Sequence, residues 1–298
     1  MTAAALWGTL GIFARVLAEI GVRPLEMTSV RAAGAFVLLA LWMARTPRKL
    51  AIRVRDLPFF LAYGVLGLTL FHFLYFAALD HTSIAVAVAL LYTAPAFVLI
   101  LSRIFFQEPI GRGNLGVLLL VLIGVFLVTG AARSLVTGGA PITMIALLLG
   151  LGSGLSYGLY TIFGKFALRR YEPDQTVFFS FLFGALVLGL VAPPWRPFIE
   201  YPSATVPLIL LGLLITVIPY ILYTAGLRHL APGTASMLAS IEPVVATLTG
   251  FSILGEDLGL DQLLGVIAII GAALLLARPP VREESRYSSH SSHRTRPG

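Results

Sequence analysis

The sequence predicts an all-α integral membrane protein with ten transmembrane helices arranged as two inverted five-helix repeats. Three observations lead to this fold class: an apolar composition, a regular series of long apolar segments, and a similarity between the two halves of the chain. Of the 298 residues, 58% are hydrophobic and 12% are charged, and the mean hydropathy is +0.92. Soluble domains average about 45–50% apolar and about 25% charged residues. The composition is therefore typical of a chain whose solvent is lipid.

Ten segments are apolar over a length that can cross a bilayer, which takes about 20 residues at a rise of about 1.5 Å each. In chain order they are residues 2–19, 24–44, 57–79, 83–105, 114–131, 142–168, 174–192, 206–228, 233–254 and 261–277. Short segments rich in Gly, Pro and charge connect them. The last one is followed by a tail, 278–298, that is rich in Ser, Arg and His. With almost no apolar residues to bury, this tail is predicted to be disordered.

The distribution of Lys and Arg predicts the orientation of the chain. If the N-terminus is cytoplasmic, 16 of the 21 Lys and Arg residues lie on the cytoplasmic side, 4 lie on the opposite side, and Arg31 lies inside the second apolar segment. Because basic residues collect on the cytoplasmic side of membrane proteins, we expect both termini in the cytoplasm and a multi-pass protein of the inner (plasma) membrane. The net charge of +7 belongs to these loops, so we expect no nucleic-acid partner.

The two halves of the chain align with each other. At an offset of 148 residues, the matching positions are Leu74-Tyr75 with Leu222-Tyr223, His81 with His229, Pro95 with Pro243, and Glu108 with Glu256. At an offset of 150 residues, they are Trp7-Gly8 with Tyr157-Gly158 and Arg15 with Lys165. Five segments per half is an odd number, so the second half must enter the membrane from the opposite side. The predicted units are a first repeat, 1–131, a second repeat, 132–277, and the cytoplasmic tail.

At these positions the sequence resembles the EamA-type family of the drug/metabolite transporter superfamily. The residues that carry the resemblance are Ala5-Leu6-Trp7-Gly8, Arg31, Leu91-Tyr92-Thr93-Ala94-Pro95 with Glu108, and Ser240-Ile241-Glu242-Pro243 with Gly255-Glu256. The resemblance covers about residues 3–277. It implies a central cavity lined mainly by helices 1–4 and 6–9, with helices 5 and 10 at the periphery. The family includes exporters of amino acids and other metabolites, and its motifs specify the fold better than the substrate.

Two inverted halves can rock to expose one central site to each face in turn. The sequence therefore predicts a secondary transporter, an exporter of small organic metabolites such as amino acids, that works by alternating access. The alternatives are a structural membrane protein, in which the duplication only builds a stable bundle, and a membrane-embedded enzyme. An enzyme would need paired carboxylates, a metal cluster or an activated nucleophile, and the sequence has no H-E-x-x-H motif and no cysteine. We expect no catalytic residue, metal or cofactor, and only a small-molecule substrate and the lipid bilayer as partners.

Glu242 and Arg31 are the ionisable residues predicted inside apolar segments. Glu242 is tenth of the 22 residues in its segment, and an acid at that depth needs a partner or a wet cavity. It is a candidate for proton coupling, and the alternative is a structural hydrogen bond beside Pro243. Arg31 is a candidate to attract an anionic group such as a carboxylate. Its structural alternatives are an ion pair, for example with Glu242, and snorkelling to the interface.

Aromatic and histidine side chains are further candidates to line the cavity. Those at segment ends also fit an interfacial aromatic belt, whereas the deeper ones need a hydrogen-bond partner when buried. Core packing is the alternative for each. The candidates are Trp7, His72, Tyr75, Tyr92, Tyr157, Tyr160, Tyr220 and Tyr223.

Two prolines inside segments and two glutamates between segments occupy corresponding positions in the two halves of the chain. Pro95 and Pro243 lie inside segments, and since each removes a backbone hydrogen bond, we expect helix kinks there. Glu108 and Glu256 precede the fifth and tenth segments. Capping of those helix N-termini is the expected role of both glutamates.

The orientation can be tested with fused reporters. A reporter that is active only outside the cytoplasm should stay silent when it is fused after Gly298, because the basic loops hold that end inside. The same reporter fused after Gly138, between the fifth and sixth segments, should be active in intact cells. A strong signal from the Gly298 fusion would contradict the orientation and, with it, the inverted repeat.

Overall fold

The structure, a computed structural model, describes residues 1–45, 52–138 and 142–277. Within these ranges every regular element is a helix, and nine helices are long and apolar enough to cross a membrane. A further apolar helix, Arg112–Val128, has 17 residues. The predicted disorder of the tail concerns residues 278–298, which lie outside the described part of the chain.

The long helices follow the predicted segments to within a few residues at each end. In chain order they are α1 Thr2–Ile20, α2 Pro24–Ala44, α3 Val54–Leu79, α4 Ile84–Phe106, α5 Arg112–Val128, α6 Met144–Ala167, α7 Pro173–Val191, α8 Pro202–His229, α9 Pro232–Leu254 and α10 Leu260–Ala277. Both α2 and α7 begin with proline, whose missing N–H would be unpaired at that position in any case. In each of them, a side chain in the first turn, Glu26 or Gln175, accepts a hydrogen bond from the backbone N–H of the residue before the helix.

Helices α4 and α9 are each interrupted near the middle. The pieces of α4 are Ile84–Leu91 and Ala94–Phe106, and those of α9 are Pro232–Ala239 and Glu242–Leu254. In each case a proline, Pro95 or Pro243, is the second residue of the second piece, and it has no N–H to continue the ladder from the first piece. Every bound in α4 recurs 148 residues later in α9, which is the offset at which the two halves of the sequence align.

Helices α3 and α8 each contain a stretch of π-helix. The stretches are Tyr63–Thr69 in α3 and Leu213–Val217 in α8. A π turn widens the helix and leaves a carbonyl free to accept a side-chain hydrogen bond. In α3 the carbonyl of Leu66 accepts a hydrogen bond from the hydroxyl of Ser156 on α6. The π segments therefore tie their helices to neighbouring parts of the bundle.

Small residues allow the helices to approach one another closely, as expected where lipid gives no hydrophobic drive for association. Gly64 in α3 faces α7, and a Cβ atom at Gly64 would lie 2.7 Å from the backbone nitrogen of Gly184 and 2.7 Å from the carbonyl oxygen of Ser180. The main core is built here, between α2, α3, α7 and α8. A second cluster joins α5 to α10 through Val121, Val125 and Ile269.

Contacts between connecting segments define two ends of the molecule. At the first, the open end, Arg133 pairs with Asp261 and the hydroxyl of Ser83 bonds to that of Ser134. At the second, the closed end, the contacts are the ion pairs Arg170–Asp56 and Arg228–Glu172, the hydrogen bond from Tyr171 to Asp56, and the hydrogen bonds from Lys165 to the carbonyls of Leu227 and Leu230. These contacts place successive helices in alternating directions through the bundle.

The close approach of α3 and α7 can be tested by adding one methyl group. We expect Gly64→Ala to destabilise the protein by about 1–3 kcal/mol, because the new Cβ would overlap the backbone of α7. The matched control is Gly116→Ala in α5, where a Cβ would meet nothing within 4 Å. Thermal unfolding of both variants in detergent measures the difference. Equal stability of the two variants would contradict the described α3–α7 contact.

Candidate functional site

A cavity of about 710 Å³ enters the molecule from the open end. Its rim is formed by the first turns of α2, α4 and α10 and by the connection between α9 and α10. Glu256 and Asp257 of the connection and Gln262 of α10 line it. Its walls come from α1, α2, α3, α4, α6, α8 and α9. Helix α7, which the family resemblance includes among the lining helices, contributes no residue to this cavity within the described chain, because α7 packs behind α3 and α8 in the main core.

Arg31 lines the cavity from α2 and is held in place by α8. Its Nε donates a hydrogen bond to Oγ1 of Thr216 at 3.1 Å, and Thr216 donates in turn to the carbonyl of Leu211 at 3.0 Å. Thr216 belongs to the π segment of α8, so this irregular stretch anchors the arginine. Within the described residues Arg31 forms no ion pair, and the pairing with Glu242 that the sequence left open is not present. The rest of the guanidinium is available to the cavity.

Glu242 lines the same cavity from α9. It is the first residue of the helical piece Glu242–Leu254, so the break in α9 places its carboxyl group at a helix N-terminus inside the bundle. A helix N-terminus favours negative charge. The titratable groups close enough to interact electrostatically with this carboxyl are Tyr92, Tyr157, Tyr220 and Arg31. The two opposite ionisable groups therefore share one cavity without neutralising each other by direct contact.

His72 presents one ring nitrogen to the cavity. Its Nδ1 lies 2.8 Å from the carbonyl oxygen of Leu68. Because a carbonyl only accepts hydrogen bonds, Nδ1 must carry the proton in this contact. The neutral ring then has Nε2 as a hydrogen-bond acceptor. The ring of Phe71 packs against the imidazole at an interplanar angle of 38°, with ring centroids 3.7 Å apart.

Aromatic side chains form much of the remaining wall. Trp7 packs edge-on against Tyr220, with ring centroids 5.0 Å apart, and Tyr157 packs against Phe71 at 5.5 Å. Of the residues that the sequence singled out, the structure places in this wall Trp7, Arg31, His72, Tyr75, Tyr92, Tyr157, Tyr220, Glu242 and Pro243. The tertiary fold thus brings together candidates from seven of the long helices.

Two residues that were predicted to line the cavity, Tyr160 and Tyr223, and the kink residue Pro95 do not line the large cavity. Tyr160 is buried beneath the cavity floor, between Tyr63 and Tyr220, with ring centroids 4.9 Å and 5.2 Å away. The hydroxyl of Tyr223 lies 2.7 Å from that of Thr161 on α6. Helix periodicity alone cannot separate such positions from the cavity wall, because all lie at similar depth and only the rotation of each helix distinguishes them.

Tyr223, Thr161 and Pro95 line a second, much smaller chamber of about 10 Å³. This space is about that of one water molecule. The other residues that line it are Tyr92, Ala94, Val98, Tyr157, Gly158, Ser236, Ala239 and Ser240. Tyr92 and Tyr157 line both the chamber and the large cavity. These two tyrosines therefore separate the two spaces.

The expectation that Glu108 and Glu256 cap helices is wrong. The N-cap of α5 is Gly111, which no side chain caps, and at the start of α10 it is Gln262 that accepts a hydrogen bond from the N–H of Gly259. Glu256 instead lines the mouth of the cavity. Glu108 lies near Lys165 at the closed end, where burial raises the pKa of its carboxyl group and the lysine opposes that shift. The two glutamates occupy corresponding positions in the two halves of the sequence, but this correspondence does not indicate which contacts each side chain makes.

Comparisons with known proteins give a consistent result. The chain matches the sequence model of the EamA-like transporter family over residues 1–130 and 144–278. A relative from Archaeoglobus fulgidus, described as an uncharacterised transporter, is 32% identical over 218 residues, covering 72% of this chain and 76% of the relative. The threonine/homoserine exporter RhtA of Escherichia coli (strain K12) is 27% identical over 265 residues, covering 87% of this chain and 83% of the exporter. A protein of known crystal structure has the same fold, with a TM-score of 0.75 at 20% identity over 93% of this chain and 94% of that one.

The bond between Tyr223 and Thr161 joins α8 to α6 and can be measured by a double-mutant cycle. We expect Tyr223→Phe and Thr161→Val each to destabilise the protein by about 1 kcal/mol, and the double variant to cost little more than either alone. The matched control is Tyr75→Phe, at the repeat-related position that faces the large cavity. Additive losses in thermal unfolding would show that the two hydroxyls do not interact.

Proposed function

The chain belongs to the EamA-like transporter family, and from this premise we propose that it is a secondary transporter that exports small organic metabolites such as amino acids. The observation that carries the proposal is the cavity of about 710 Å³ that Arg31 and Glu242 both line. Ligand sites of about 300–1,000 Å³ with apolar walls and a few polar groups are typical of small-molecule binding. The similarity to a threonine/homoserine exporter supports the same substrate class.

The substrate that fits this cavity best carries both a carboxylate and an amino group. Arg31 is held by its Nε and keeps donors free for a carboxylate, which a guanidinium binds in bidentate fashion. The carboxylate of Glu242 attracts an ammonium group. Because neither residue is neutralised by the other, each gains a partner when a zwitterion binds between them. Trp7, Tyr157 and Tyr220 offer aromatic faces to the rest of the molecule.

Alternating access would follow from ten spanning helices in two inverted repeats. The corresponding breaks in α4 and α9, the π segments of α3 and α8, and the proline starts of α2 and α7 support such a repeat. The family model matches in two stretches, 1–130 and 144–278, that agree with the proposed units. Helix α5 is an apolar helix of 17 residues. Because α5 packs against the spanning helix α10, we assign α5 as a further membrane span. Together with the nine longer helices it brings the number of spans to ten.

The orientation follows from the basic loops, which place both termini and the closed end in the cytoplasm of the cell and the protein in the inner (plasma) membrane. The open end then faces outward, so the cavity is in contact with the external medium. In this state a proton from outside can bind the carboxylate of Glu242 and cancel its attraction for an ammonium group. Substrate release outward is thereby linked to proton entry, as an exporter driven by a proton gradient requires.

Flux measurements in proteoliposomes test the function. A panel of labelled amino acids and related metabolites, offered with and without an imposed pH gradient, should show gradient-dependent transport of at least one zwitterion. Absence of flux for every member of the panel, from protein that is correctly folded, would contradict the proposal.

Glu242→Gln should insert and fold normally but lose most of its transport and the dependence of that transport on pH. Glutamine keeps the shape and much of the hydrogen bonding of the side chain, but it cannot exchange a proton. Flux is measured from about pH 5.5 to about pH 8.5 and normalised to folded protein. The matched control is Glu200→Gln, an exposed acid outside the cavity. An unchanged pH profile in Glu242→Gln would assign this residue to structure alone.

A further inference from the structure

We propose that the small chamber is the collapsed inward-facing half of the transport pathway, and that Lys165 holds it shut in this state. The inference rests on the proposed alternating-access function. It assigns a specific route through the closed end, between α4, α6, α8 and α9, and a specific latch on that route. Neither follows from the large cavity alone.

The walls of the chamber correspond to the walls of the large cavity. The offsets of 148 and 150 residues, at which the two halves of the sequence align, relate ten of the eleven chamber residues to residues that line the cavity. The pairs are Ala94 with Glu242, Pro95 with Pro243, Val98 with Ala246, Tyr157 with Trp7, Gly158 with Gly8, Thr161 with Gly11, Tyr223 with Tyr75, Ser236 with Val88, Ala239 with Leu91, and Ser240 with Tyr92. The eleventh, Tyr92, corresponds to Ser240, which itself lines the chamber. Repeat-related residues thus line both spaces. The space toward the open end is wide and the space toward the closed end is nearly filled.

The same helix pair is separated at one end and in contact at the other. At the closed end the first piece of α9 packs on the second piece of α4, so closely that a Cβ atom at Gly233 would lie 3.0 Å from Cδ1 of Leu99. At the open end Val88 on α4 and Ala246 on α9 face into the cavity instead. Exchange of these two arrangements would close the cavity and open the chamber, as rocking of inverted repeats requires.

Lys165 bridges the boundary that must open. Its Nζ donates hydrogen bonds to the carbonyl oxygens of Leu227 at 2.9 Å and Leu230 at 2.8 Å, and so ties the end of α6 to the connection between α8 and α9. Among the described residues, its counterpart Arg15 on α1 pairs only with Glu19, one turn along the same helix, at 3.4 Å and with both side chains exposed. Lys165 therefore links two helices at the closed end, whereas in the described chain the corresponding Arg15 links none at the open end.

Several hydroxyl groups line the chamber. The hydroxyls of Thr161, Tyr223, Ser236 and Ser240 face or border it, and Oγ of Ser240 is buried without a hydrogen-bond partner among the described residues. An unpaired buried hydroxyl is costly in a closed core. The cost disappears in a state where the chamber fills with water or with the polar groups of the substrate. A hydroxyl-lined route suits a solute that hydrogen-bonds, as a zwitterion does.

Single cysteines in this cysteine-free chain test the route. Three variants are compared in nanodiscs, where both faces are accessible to a charged, water-soluble maleimide. Val88→Cys reports on the cavity and Ser240→Cys on the chamber. Ser180→Cys is the matched control, because Ser180 is a fully buried serine at similar depth from the closed end, on α7. In the otherwise unchanged protein we expect rapid labelling of Val88→Cys, slow labelling of Ser240→Cys and none of Ser180→Cys.

Lys165→Met is then added to each reporter, with Arg112→Met as the control for removal of one positive charge at the same end. Loss of the latch should raise the labelling rate of Ser240→Cys and lower that of Val88→Cys, each by roughly two- to fivefold, as expected for a partly exposed polar tether. Arg112→Met should change neither rate. Continued protection of Ser180→Cys shows that the bundle remains folded.

The proposal is overturned if Ser240→Cys stays as inert as Ser180→Cys in both backgrounds, or if Lys165→Met raises labelling at Val88 and Ser240 together. Flux in proteoliposomes separates this failure from failure of the proposed function. Flux with an inert Ser240→Cys rejects this route and leaves transport standing. Reciprocal labelling without flux of any solute supports the route and counts against metabolite transport.

Discussion

Arg31 and Glu242 are ionisable groups at a depth where a bilayer supplies no water, and the rest of the structure depends on how they are accommodated. Placing such groups in hydrocarbon costs several kcal/mol or more unless a partner or a wet cavity is present. The structure supplies both: Thr216 binds Nε of Arg31, and the large cavity reaches both side chains from the open end. The cavity is therefore a condition for the folded state as well as a place for a ligand to bind.

Interruptions of four helices serve that same constraint. Regular helices satisfy all of their backbone groups internally, and irregular backbone is tolerated inside a membrane only where protein or a cavity satisfies the freed groups. The breaks in α4 and α9 start new helical pieces at Ala94, which lines the chamber, and at Glu242, which lines the cavity. The π segment of α8 carries the threonine that holds Arg31. The interruptions in α4, α8 and α9 therefore lie close to the polar side chains of the cavity and the chamber.

The two ends of the bundle differ although the chain is duplicated. Polar contacts at the closed end involve side chains of both halves, as in the pairing of Asp56 with Arg170, while the lysine latch holds α6 to the α8–α9 connection. At the open end, within the part of the chain that the structure describes, the counterpart Arg15 makes only a local pair with Glu19. Exposed ion pairs contribute little individually, so under the proposed alternating access a closure built from them would be exchanged for an equivalent closure at the other end at small energetic cost. That balance is what a protein with two alternating states needs.

The sequence by itself determined the membrane class, the positions of the long helices and the residues Arg31 and Glu242 as polar groups within them. Each of these follows from local composition, because a spanning helix needs only about 20 apolar residues and a charge within it is visible at once. Pro95 and Pro243 likewise marked where α4 and α9 would be interrupted, since proline cannot complete the ladder. Only the tertiary structure decided that Tyr75 faces the cavity while Tyr223 faces the chamber, that Tyr160 lies beneath the floor, and that Glu256 lines the mouth rather than capping a helix. Those outcomes depend on the rotation and packing of each helix against its neighbours, and in a segment that is apolar on every side no periodicity records that rotation.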